Sequence, residues 1–156
     1  MNTGELNKIL QRNDVTREHY VGCFPADRIP SIGRTPCCMV INTGVSGTAG
    51  EHWVAVYVTS PTEADYFDSL GDWPPPSPHI DAFLRRFAHI NHAPCPVQSD
   101  RSSACGKHVI YFLHRRCQGW PLLRVVWHLV HSRTGSDRLV CAFVRRWIFG
   151  EKANGI

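Results

Sequence analysis

The sequence has no apolar run approaching the ~20 residues that span a bilayer. It also lacks a basic segment followed by an apolar stretch at its start, so a non-secreted, intracellular setting is expected. No C-x-x-C spacing occurs among the seven cysteines, which argues against a zinc knuckle, and no metal ligands are expected. The odd cysteine count disfavours a disulfide framework and favours a reducing compartment. There is no internal repeat, and no biased stretch beyond residues 73–78, where prolines exclude helix and central strand. Charge of one sign is also scarce: a net +4 permits a polyanion partner without demanding one. What remains is 156 residues with a 43% hydrophobic fraction, enough to bury a core and fitting one domain over residues 1–156.

The apolar pattern predicts an α+β protein. Residues 3–11 read as an amphipathic helix with Thr3 as N-cap and Leu6, Ile9 and Leu10 on one face. Residues 20–36 are punctuated by glycine and proline and read as irregular. Residues 37–42 read as a strand that sends Cys37 and Cys38 to opposite sides. Residues 43–50 form a Gly/Ser/Thr loop. Residues 52–58 and 64–68 read as strands of a hairpin turning at Ser60-Pro61-Thr62-Glu63. Helices are predicted over 79–92, 105–117 and 136–149, the second apolar on most faces. Trp120, Trp127 and Trp147 read as core, and His108, His114, His128 and His131 as core-edge or surface residues. The pairs Arg85-Arg86, Arg115-Arg116 and Arg145-Arg146 read as solvated helix faces, with a basic DNA-binding surface as the alternative.

Two local patterns carry chemistry. If the hairpin is centred on Pro61, Val54 lies opposite Asp68, and His52 shares Asp68's face as a diagonal neighbour. A slip of one residue would send Asp68 to the other face, and the bland alternative is a hairpin with a polar end. Cys105 opens the buried helix, where the free N–H groups and the macrodipole favour a thiolate. Gly106 permits close approach of a backbone, and the amide of Gln98, seven residues upstream of Cys105, is available as a second oxyanion donor. An inert buried Cys105 and a surface Gln98 are the plainer fates of those residue types.

The order and flanks of these pieces are more specific than the pieces. Gly50-Glu51-His52-Trp53-Val54-Ala55, Tyr66-Phe67-Asp68-Ser69-Leu70-Gly71, Val97-Gln98-Ser99 and Ser102-Ser103-Ala104-Cys105-Gly106 together resemble the adenovirus-type cysteine proteases, the adenain family of the SUMO-protease-like enzymes. Met39-Val40-Ile41-Asn42-Thr43, Leu6-Asn7-Lys8-Ile9-Leu10 and Tyr20-Val21-Gly22-Cys23-Phe24 extend the resemblance from about residue 5 to about residue 120. The chain is shorter than a mammalian adenovirus protease and looks closer to relatives from adenovirus-like elements and Polinton-type transposons.

The resemblance implies a papain-like fold with a central mixed sheet and the nucleophile at the start of a buried helix. It assigns His52 as general base, Asp68 as the orienting acid, Gln98 as the oxyanion amide and Cys105 as nucleophile, with Trp53, Gly50 and Glu51 in substrate binding. It implies a monomeric endopeptidase that cuts viral precursor or capsid proteins after small, glycine-rich sites, in the virion and the host nucleus. It implies no required cofactor, with DNA and an activating viral peptide, which stimulate the protease of adenovirus itself, as candidate partners. Cys95 lies near the position where that peptide forms a disulfide, in a shorter loop. Two other readings stay open: a deconjugating isopeptidase for a ubiquitin-like modifier, and a non-catalytic, nucleic-acid-associated module.

Overall fold

A computed structural model describes residues 1–50 and 52–150. Its centre is a mixed five-stranded sheet, in the order β1 (Tyr20–Pro25), β2 (Cys37–Asn42), β3 (Trp53–Ser60), β4 (Glu63–Phe67) and β5 (His89–His92). The inner pairs β2–β3 and β3–β4 are antiparallel, and the edge pairs β1–β2 and β4–β5 are parallel. β2 is buried along its whole length and β3 over Trp53–Val58, so both read as continuous apolar runs.

The period of two divides the core into two layers. Cys38, Val40, Ala55, Tyr57 and Phe67 face one side and pack on α3 (Cys105–Cys117), together with α1 (Thr3–Arg12), α4 (Leu122–Val130) and α5 (Ser136–Phe143). Phe67 stacks on Phe112 with ring centroids 4.5 Å apart. Cys37, Met39, Ile41, Val54 and Val56 face the other side, covered by Ile80, Phe83 and Leu84 of α2 (Pro78–Leu84). The two adjacent cysteines therefore belong to separate layers, as the strand reading requires. The expected α+β architecture, with helices packed around a central mixed sheet, is the one observed.

Several local expectations are corrected. The N-cap of α1 is Asn2, not Thr3: Asn2 Oδ1 accepts from the Glu5 N–H at 2.9 Å, and Glu5 Oε2 accepts from the Asn2 N–H at 2.8 Å, a reciprocal capping box. Part of the segment expected to be irregular is strand β1, whose backbone groups are satisfied by β2 far along the chain. The helix expected over 79–92 stops at Leu84, because its last four residues pair with β4 instead: Ala64 lies opposite Ile90 and Asp65 opposite Asn91. α4 falls in a segment for which no element was expected. The last helix ends at Phe143 and continues as a wider π-helical turn, Val144–Ile148.

Trp127 is not core; it is 61% exposed on α4. The Trp147 side chain lies outside the described residues. Arg115-Arg116 is not a solvated face. The Arg115 guanidinium lies 4.6 Å from the Trp120 ring centroid, and Arg116 pairs with buried Asp65 at 2.7 Å while covering Tyr57. His108 and His114 are buried rather than peripheral.

Candidate active site

The hairpin supplies the imidazole and the carboxylate. Ala55 pairs with Phe67, so the next positions outward are Val54 and Asp68, which is the anticipated register. His52 immediately precedes β3 and Asp68 immediately follows β4, so both lie at the same end of the hairpin. His52 Nε2 lies 2.7 Å from Asp68 Oδ1. That same oxygen accepts the Leu70 N–H at 2.8 Å, and Asp68 is 2% exposed. The ring is therefore held by a carboxylate that is itself held by the turn.

α3 supplies the thiol. Cys105 is its first residue, and Ala104 caps the helix without a side-chain hydrogen bond. Main-chain donors at this end are unsatisfied within the helix and stabilise negative charge. Cys105 lines the same cleft as His52, and the groups that favour its thiolate are the His52 ring and the backbone N–H groups of Trp53 and Gly106. Burial pushes the thiol up, but these donors and the imidazolium outweigh it, and the Cys105 pKa lies below that of an ordinary thiol. Burial likewise pushes the His52 ring down. The hydrogen bonds and charges of Asp68 and Cys105 reverse this and raise its pKa to about 9. The two shifts are coupled, each group favouring the charged form of the other.

The turn after β4 also places Gln98. Ser69 carbonyl oxygen accepts the N–H groups of Val97 and Gln98, each at 2.9 Å. Ser69 Oγ donates to Gln98 Oε1 at 2.6 Å, and Gln98 Nε2 donates to the Ser102 carbonyl at 2.7 Å. An amide nitrogen carries two protons, so one is left for another acceptor. Gly71 makes this approach possible. Its φ is +74°, and a Cβ there would lie 2.5 Å from Pro96 N. Ser69 and Gly71 escaped the sequence reading as site residues. The Asp-Ser-Leu-Gly run was visible, but its contact with residues 95–98 was not.

Neither a family model nor a curated protein matches the chain. Solved structures do. The ASFV pS273R protease is similar at 23% identity and a TM-score of 0.46, over 72% of this chain and 44% of that one. ChlaDub1 from Chlamydia trachomatis is similar at 18% identity and a TM-score of 0.48, over 70% of this chain and 57% of that one. This chain thus spans about half the length of either protein.

His52, Gln98 and Cys105 line one open cleft of about 1000 Å³, and Asp68 sits behind His52. Gly50 and the 43–48 loop form part of its wall. Trp53 is buried beside it, with its indole N–H donating to the Met1 carbonyl at 3.3 Å. Glu51 lies outside the described residues. Among the described residues, no group of three or more His, Cys, Asp or Glu side chains is arranged to hold a metal. The cleft therefore joins a thiol whose pKa is lowered, an imidazole whose pKa is raised and a spare amide proton, which suits attack on a carbonyl and protonation of its leaving group.

Proposed function

We propose that this chain is a cysteine endopeptidase in which Cys105, His52, Asp68 and Gln98 carry the reaction. The observation behind this reading is the His52–Asp68 pair, Nε2 to Oδ1 at 2.7 Å, in the cleft that Cys105 lines from the start of α3. With Nε2 occupied, Nδ1 is the nitrogen that serves the thiol.

The Cys105 thiolate attacks the scissile carbonyl, forming a C–S bond and moving the carbonyl electron pair to oxygen. Gln98 Nε2–H and the Cys105 backbone N–H stabilise that oxyanion. His52 gives its Nδ1 proton to the departing amine as the C–N bond breaks. The neutral ring then takes a proton from water, which attacks the thioester and releases the acid and the thiolate. Asp68 keeps the Nε2 proton in place and stabilises the charged ring throughout.

The substrate is proposed to be a viral precursor or capsid protein cut after a small, glycine-containing site, by a monomer in the virion and host nucleus. The family resemblance supports this reading. The reaction requires no cofactor, and DNA and a viral peptide are candidate activators. The test is hydrolysis of a short Gly-Gly peptide library by wild-type and Cys105→Ala protein, with and without DNA. Turnover that disappears in Cys105→Ala is expected; full turnover by that variant overturns the assignment. Cleavage confined to modifier-linked substrates would move the protein to the isopeptidases. Failure of an active-site-directed thiol probe to label Cys105 would support a non-catalytic module.

A further inference from the structure

The amino end of α5 meets the loop that carries Gln98 on both sides of that residue. The Ser136 hydroxyl donates to the carbonyl of Val97, the residue before it. Asp137 Oδ2 accepts the N–H of Ser99, the residue after it, at 3.3 Å. The other oxygen of Asp137 lies 2.8 Å from Nε2 of His108. His108 is 0% exposed and sits on α3, one turn beyond Cys105. Burial pushes the His108 pKa down despite Asp137, and Nε2 is the ring nitrogen that faces the carboxylate.

One carboxylate therefore ties together the loop of the amide donor and the helix of the sulfur. Gly135, with φ +87°, forms the turn that presents Ser136 and Asp137 side by side. Gln98 is held from within by Ser69 and Ser102, but those bonds fix its side chain relative to the β4 turn and its own loop. The only described hydrogen bonds joining the 97–99 backbone to the C-terminal helices are those of Ser136 and Asp137. An oxyanion donor acts only at about 2.7–3.1 Å from the developing charge, so small displacements of this loop are costly.

Resting on the peptidase reading, we propose that Ser136 and Asp137 are positioning residues, a strut from the C-terminal helix that sets the distance between the Gln98 amide and Cys105. The segment beyond residue 119 thereby acquires a part in the reaction. Neither residue touches the reacting atoms; both act through Gln98.

The test is a double-mutant cycle on a Gly-Gly peptide, using Asp137→Ala and Ser136→Ala in wild-type and Gln98→Ala backgrounds. Each single change is expected to lower kcat by about one to two decades with KM nearly unchanged. Each is expected to cost nothing further once Gln98 is alanine. Alkylation of Cys105 by iodoacetamide, which uses no oxyanion donor, should keep its wild-type rate. Equal losses in both backgrounds, or unchanged kcat in the single variants, overturn the strut. If Asp137→Ala fails to fold, Ser136→Ala removes one hydroxyl and decides the matter. An NMR measurement separates this proposal from the peptidase reading. In Cys105→Ala protein, the Gln98 side-chain amide signals should shift on Ser136→Ala; unmoved signals overturn the strut whether or not the wild type cleaves peptides.

Discussion

His52 Nε2 meets Asp68 Oδ1 at 2.7 Å in the cleft that Cys105 also lines, so one imidazole lies between a hairpin end and a helix start. The pH dependence follows from this joint. Asp68 and Cys105 raise the His52 pKa to about 9, and the Cys105 pKa lies below that of an ordinary thiol. kcat/KM should therefore rise as Cys105 deprotonates, at a pH below that of an ordinary thiol, and fall above about pH 9 as His52 loses its proton. Asp68→Asn removes a group that raises His52, so the alkaline limb should move to lower pH and the rate should fall. A pH–rate series on both proteins checks this; an unmoved alkaline limb counts against the pairing.

Gln98→Ala should lower kcat by two to three decades, the usual ~2.7–4 kcal/mol for one oxyanion donor. The fold should also suffer. Ser69 is fully buried, and its hydroxyl would lose its acceptor, at about 1–3 kcal/mol. Adding Ser69→Ala should restore much of the stability and none of the turnover. Denaturant melts and peptide kinetics on the single and double variants separate the two effects.

Gly71→Ala should damage the site from a distance. The left-handed backbone alone costs about 1–2 kcal/mol with a Cβ present, and the new methyl would press on Pro96 and Cys95. The 95–98 loop must then retreat, and Gln98 with it. Lower thermal stability together with lower kcat is expected. Wild-type values for both would show that the close approach does not matter.

Arg116→Ala should be strongly destabilising, by about 3–5 kcal/mol, since it strands the buried Asp65 carboxylate. The same change at Arg85, whose pairing with Asp81 is exposed, should scarcely alter the melt. Comparable melts for the two variants would contradict the buried role of Arg116.

The sequence by itself determined whatever depends on near neighbours. Alternation along β2 and β3 sorted their side chains between two layers, and the Ser60–Glu63 turn set the hairpin register that puts Asp68 beside His52. Cys105 at the head of an apolar run marked the start of α3. Tertiary structure alone decided what depends on distant partners. Residues 89–92 became a strand because β4 offered an open edge, and β1 formed against β2 for the same reason. The Gln98 cradle, the burial of His108 and the bond from Asp137 to the loop each join segments far apart in the chain. A buried polar group must find a partner, and which partner it finds is settled only when the layers close.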